Sequence, residues 1–303
     1  VVGPDKLGKP CRIYAPVGSH ETLLPYLVRR LLENGANSSF VNRLVDEAVS
    51  IDELVADPLA QVKREGGGRH PAIPLPRNIY GPRRINSEGV DLADETGIAR
   101  LEEELGQLAG KLWQARPLLA GDAESAGPAL PIRSPADRKD QVGTVIEADA
   151  AMVERALATA DGYAETWHQT PIAERAAALR RAADLLEDNR TALVSLCIRE
   201  AGKTWGNAVA EVREAVDFCR YYADQLQSGD FQDAAVAPGP TLCISPWNFP
   251  LAIFIGQVSA ALAAGGPVIA KPATQTPLIA ALAVELLHQA GIPRQALQFL
   301  PGR

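Results

Sequence analysis

Residues 241–300 read TLCISPWNFP LAIFIGQVSA ALAAGGPVIA KPATQTPLIA ALAVELLHQA GIPRQALQFL. Short apolar runs alternate here with longer ones, which predicts strand 241–245, helix 250–264, strand 267–270, helix 276–290 and strand 297–300. Alternating apolar strands and helices imply a parallel sheet covered on both faces. The charges agree with burial, since residues 241–303 contain only Lys271, Glu285, Arg294 and Arg303. Residues 251–270 form an apolar run of bilayer-spanning length. Gln257, Ser259 and the Gly265-Gly266-Pro267 stop interrupt it, so it reads as a buried helix turning into a buried strand.

Upstream the texture changes. Residues 95–228 carry helical periods at 95–113, 150–160, 172–189, 191–201 and 205–227, with two short strands expected around the turn in PIRSPADRKDQVGTVIEA. Residues 58–94 hold Gly66-Gly67-Gly68, Pro71, Pro74, Pro76 and Pro82 among many basic residues, without a steady period; this is connection. Further back, 11–18 resembles a short strand. A helix follows over 22–35, where Leu23, Leu27 and Leu31 repeat every four residues, as do Leu24, Val28 and Leu32. Pro25 is tolerable only in a first turn, so the regular helix is placed from Thr22, with Asn34-Gly35 as its stop. A second short helix is expected over 39–49.

Composition excludes several functions. The 303 residues are 47% hydrophobic and 22% charged, ordinary for a core-forming protein of about two domains. A net charge of -7 lacks the basic balance of a nucleic-acid binder. Cys11, Cys197, Cys219 and Cys243 are widely spaced, and the four histidines share no ligand spacing. Neither a disulfide framework nor a metal site is expected, and a reducing cytoplasm fits best.

Two motifs carry chemistry. In Ile244-Ser245-Pro246-Trp247-Asn248-Phe249-Pro250, a strand ends in a proline-stiffened turn that delivers the Asn248 amide beyond the sheet edge. Lys271, 23 residues after Asn248, ends the next strand on the same edge. An amide donor beside a cation suits an anionic cofactor and a developing oxyanion, although the same features suit a helix cap and a solvated lysine. These words, with AALAAGGPVIAKPATQTPLIA, closely resemble the aldehyde dehydrogenase superfamily over residues 140–303. The resemblance implies that Asn248 is the oxyanion donor and that Ile244, Ser245, Pro246 and Trp247 line the NAD groove. It also implies that Lys271 contacts the adenosine ribose. Thr274 stands where NAD-preferring members carry a glutamate, and losing that carboxylate removes repulsion of the 2′-phosphate of NADP; NAD stays ahead because no arginine is expected nearby to bind that phosphate. Glu200-Ala201-Gly202-Lys203 matches a helix ending of that family and is read as structural.

The second motif is Tyr26-Leu27-Val28-Arg29-Arg30-Leu31-Leu32-Glu33-Asn34. Tyr26, Arg30 and Glu33 share a helix face and Arg29 lies about 100° round from Arg30. The pair of guanidiniums can fork a carboxylate, with Glu33 steadying one of them; a solvated basic patch is the plain alternative. RIYAPVGSHETLLPYLVRRLLENGANSSFVNR resembles the last strand and helix of the proline dehydrogenase barrel in the bifunctional proline utilization A (PutA) family. IPLPRNIYGPRRINSEGVDLAD resembles that family's connection. The resemblance implies that Arg29 and Arg30 bind the proline carboxylate, that Tyr26 packs on the proline ring, and that Glu33 supports the flavin site.

Together these give an α/β chain. Residues 1–57 are expected to be the C-terminal strand–helix end of a β/α barrel and 58–94 a linker. Residues 95–303 are expected to be the N-terminal, cofactor-binding part of an aldehyde dehydrogenase-like doubly wound sheet. The resemblance implies oxidation of proline to pyrroline-5-carboxylate with FAD, then of glutamate semialdehyde to glutamate with NAD. It further implies quinone as electron acceptor, a homo-oligomer, and a cytoplasmic enzyme with a peripheral seat at the inner membrane face. The Gly-Gln-x-Cys nucleophile and the glutamate base of the family are not in these residues, so the chain reads as an internal piece, expected to be inactive alone. An aldehyde dehydrogenase of other specificity and a non-catalytic assembly module are the alternatives.

Overall fold

The computed structural model describes residues 17–34, 40–64, 66–68, 72–121, 127–228 and 239–303. The strand expected over 11–18 falls mostly outside them. The chain forms two compact units, 1–73 and 74–303.

The first unit contains α1 (His20–Asn34), α2 (Phe40–Val45), α3 (Ile51–Leu54) and α4 (Pro58–Arg64). Helix α1 begins two residues before the expected Thr22, so Pro25 lies inside it rather than in its first turn. The Leu23 amide already donates to Ser19 at 2.9 Å, which starts the helix ahead of the proline. Only one backbone donor is then lost at Pro25. The second helix is shorter than expected, ending at Val45. Helix α4 falls within the stretch read as connection.

The second unit begins with the remainder of that stretch, laid on helices. The Ser87 amide donates to Asp217 at 2.6 Å and its hydroxyl to Glu187 at 3.0 Å. Then follow α5 (Glu95–Leu108), β1 (Trp113–Ala115), β2 (Leu130–Arg133), β3 (Gln141–Val145), α6 (Ala150–Gln169), α7 (Ile172–Asp188), α8 (Arg190–Arg199) and α9 (Trp205–Gln227). The series closes with β4 (Thr241–Ile244), α10 (Ala252–Ala263), β5 (Val268–Lys271), α11 (Pro277–Gln289) and β6 (Leu297–Phe299). Several starts are written locally. Asp94 accepts from Thr96 and Gly97, Asp149 from Met152, and Thr204 from Asn207, each an N-cap. A helix was expected to run on to Trp113, but α5 ends at Leu108 and Trp113 opens β1. That strand pairs parallel to β3, and β2 pairs antiparallel on the other side.

The parallel sheet has the order β4-β5-β6. Alternation along β5 divides the core in two. Val268 and Ala270 join the main cluster with α7, α9, α10 and α11. Ile269 packs with Leu300 against Met152, Ala156 and Ala160 of α6. Helices therefore lie on both faces. The edge strand β4 keeps one open side, where Leu242 and Ile244 are exposed. No helix among the described residues is long and apolar enough to cross a membrane; the run 251–270 is α10, a Gly265 turn and β5.

Candidate functional site

The carboxyl edge of the parallel sheet assembles the second-unit candidates. Ile244 and Lys271 are register partners across β4 and β5, and the Ser245 amide donates to the Lys271 carbonyl at 3.2 Å. Beyond that point the chain leaves the sheet. Ser245 is buried, Pro246 is half-buried, and Trp247, Asn248 and Phe249 are exposed. The Asn248 side chain has no hydrogen-bond partner among the described residues.

Lys271 Nζ donates to the Pro272 carbonyl at 3.1 Å, and Thr274 Oγ1 to the Gly302 carbonyl at 3.4 Å. A cavity of about 320 Å³ opens beside Lys271, walled by Val153, Leu157, Leu242, Ile269 and Leu300. Apolar walls with Lys271 and Arg303 among the lining fit the nucleoside end of a dinucleotide. One sequence expectation needs correction. The arginines were read as remote from Lys271, but Arg303 lines the same cavity, its Nε 3.5 Å from Glu147. Strand β6 ends beside β5, which brings residue 303 to the edge that Lys271 occupies.

Two features of this edge were missed in the sequence. Helices α10 and α11 lack a side-chain cap from their own N-cap residues, Leu251 and Thr276. Each is capped from the helical layer instead. Glu211 of α9 accepts from the Leu251 and Ala252 amides at 3.2 and 2.8 Å. Glu200, just after α8, accepts from the Leu278 and Ile279 amides at 2.7 and 2.9 Å. Burial pushes the Glu200 carboxyl up to about 8, while the two amide donors pull the other way. Lys203 Nζ lies 2.9 Å from Glu211 and 4.7 Å from the centroid of the Phe249 ring. The signal was present: Glu211 falls on the apolar stripe Ala208, Val212, Ala215, where an uncompensated charge has no place.

Burial raises the pKa of the described thiols, Cys219 to about 12, Cys243 to about 11 and Cys197 well above its usual value. A thiol held protonated is a poor nucleophile, so these three are core residues. Cys11 lies outside the described residues.

In the first unit, α1 brings Tyr26 and Arg30 together, the guanidinium 5.5 Å from the ring centroid. Arg29 is exposed on the same helix and Arg30 half-buried. The side chain of Glu33 lies outside those described.

Comparison with known proteins follows the same division. The sequence profile of the aldehyde dehydrogenase family matches residues 122–303, and that of proline dehydrogenase matches residues 2–43. The bifunctional protein PutA of Escherichia coli (strain K12) is 56% identical over all of this chain, which spans 23% of that relative's length. A crystal structure of proline utilization A from Bdellovibrio bacteriovorus, inactivated by N-propargylglycine, aligns with TM-score 0.70 and 30% identity, covering 96% of this chain and 31% of that one. A Thermus 1-pyrroline-5-carboxylate dehydrogenase with bound NAD aligns with TM-score 0.66 and 30% identity, covering 72% of this chain and 45% of that one.

Proposed function

The chain belongs to the aldehyde dehydrogenase family, and we propose that it serves a bifunctional enzyme of proline catabolism. That enzyme oxidises proline to pyrroline-5-carboxylate, then glutamate semialdehyde to glutamate. On this proposal residues 1–57 are the end of the proline dehydrogenase barrel, 58–94 the connection, and 95–303 the part of the aldehyde dehydrogenase that carries the cofactor edge. Full-length similarity to PutA proteins supports this, as does the match of separate profiles to the two ends.

The observation that carries the second activity is the pairing of Ile244 with Lys271. It sets the Asn248 loop and one lysine side by side at the carboxyl edge of a parallel sheet, where ligands of such folds bind. NAD, when bound, accepts the hydride from the aldehyde carbon. Lys271 and Thr274 hold its ribose, with backbone at Ile244, Ser245, Pro246 and Trp247 along the groove. The Asn248 amide donates to the aldehyde oxygen as that oxygen gains charge. Arg303 and the missing carboxylate at Thr274 leave NADP as a weaker second cofactor.

In the first activity Arg29 and Arg30 clamp the proline carboxylate and Tyr26 covers the ring. FAD, when bound, would take the hydride from proline, with Glu33 supporting its site. Quinone as electron acceptor, a homo-oligomeric state and a cytoplasmic location at the inner membrane face complete the proposal.

The test uses the whole protein that carries this chain. Asn248→Ala lowers NAD-linked oxidation of glutamate semialdehyde by about 10²–10³-fold and leaves proline-dependent dye reduction intact. Equal loss of both activities, or no loss, sinks the assignment.

A further inference from the structure

We infer that Glu211, held by Lys203, is a positioning residue that aims the Asn248 amide. This deepens the function proposed above and rests on Asn248 being the oxyanion donor. The loop from β4 to α10 has three anchors. At its start the Ser245 amide is tied to the Lys271 carbonyl at 3.2 Å. At its end the Leu251 and Ala252 amides both point at Glu211 Oε2, at 3.2 and 2.8 Å. Between them the Phe249 ring faces Lys203 Nζ at 4.7 Å, and the same ammonium lies 2.9 Å from Glu211 Oε1. One buried ion pair thus touches the residue after Asn248 and the two amides that open the following helix.

Asn248 has no hydrogen bond of its own among the described residues, so these anchors, which fix the backbone that carries it, set where its amide can reach. The cost of the arrangement argues for a use. Glu211 is 2% exposed, and a buried carboxylate is tolerated only when paired and hydrogen-bonded. Helix α9 could have presented an apolar residue here and left the α10 amides to a local cap, as Asp149 does for α6. A local cap would fix the helix start alone. The Lys203–Glu211 pair fixes the helix start and the Phe249 ring together.

A donor displaced by about 1 Å can cost about 10²-fold in rate, so the pair should show in turnover rather than in cofactor binding. In the whole protein, Glu211→Gln and Lys203→Met are expected to lower kcat for glutamate semialdehyde about 10-fold or more, with KM for NAD unchanged. Against an Asn248→Ala background, the same substitutions should lower kcat no further, because there is no amide left to aim. Hydrogen exchange should rise in the peptide spanning 246–254 and nowhere else in residues 74–303. A Glu211→Gln or Lys203→Met effect of equal size with and without Asn248 overturns the inference, as does unchanged exchange in that peptide. If Asn248→Ala itself leaves aldehyde oxidation untouched, the oxyanion role fails and this inference with it; faster exchange would then mark a purely structural cap. If Glu211→Gln and Lys203→Met fail to fold, Phe249→Leu decides, since it removes the ring contact to Lys203 and leaves the Lys203–Glu211 pair and the cap in place.

Discussion

Replacing Glu200 by glutamine separates a long-range helix cap from an ordinary buried glutamate. The native carboxylate is 3% exposed and accepts from Leu278 and Ile279 at 2.7 and 2.9 Å. Burial is the larger influence and lifts its pKa from the usual 4.5 to about 8. A carboxyl raised in the folded state binds a proton that the unfolded chain has already released. Its contribution is therefore complete below about pH 4.5 and is lost as the pH rises through about 8. Across pH 5 to 8 the loss is about 3 kcal/mol. Glutamine keeps the shape but does not titrate. It offers one oxygen to one amide and turns its NH₂ toward the other, at a cost of about 1–3 kcal/mol. The wild type should thus hold its advantage near pH 5 and surrender it by pH 8. All four tryptophans, Trp113, Trp167, Trp205 and Trp247, lie in the second unit, so their emission during guanidinium unfolding follows that unit alone. Parallel stability curves for wild type and Glu200→Gln over this range would refute the reasoning.

Other outcomes follow from single contacts. In Gly143→Ala the new methyl carbon would lie 2.1 Å from the Trp113 carbonyl oxygen, so β1 must move away from β3, lowering stability by about 1–3 kcal/mol; an unmoved denaturation midpoint would count against the pairing. The Arg199 hydrogen bonds hold Asp140 below the usual carboxylate value. Its contribution is present above that usual value of 3.8 and lost as the pH falls through the folded one, so Asp140→Asn should destabilise at pH 7 and have progressively less effect as the pH is taken below the folded value. Arg29→Met and Arg30→Met in the whole protein should raise the proline concentration needed for half-saturation while sparing aldehyde oxidation; unchanged proline saturation would remove the carboxylate clamp.

Much of this was legible because its causes are local. The strand–helix alternation of 241–300 follows from apolar runs and glycine stops, and each of its elements appears within two residues of the expected place. The caps of α5, α6 and α9 follow from single Asp and Thr residues. Partners far apart in sequence were not legible. Strand β1 is only three residues long and exists because the β3 edge receives it. Arg303 reaches the Lys271 cavity through sheet register, 32 residues further along the chain. Glu211 and Glu200 act 40 and 78 residues away. Each carries one sign that periodicity alone could have supplied, a carboxylate among buried neighbours.

The two glutamate caps also bear on where an autonomous piece of this protein can be cut. The segment from Gly239 onward has the outline of a self-sufficient α/β unit, three parallel strands with their crossover helices. Yet neither crossover helix can close its own first turn there, since both acceptors come from residues 200 and 211. An excision at 239 would strip four amides of their carboxylate acceptors and bare the apolar face that the helical layer covers. A piece that keeps both caps must include Glu200 and Glu211, so α9 and the end of α8 belong with the parallel sheet rather than with its surroundings.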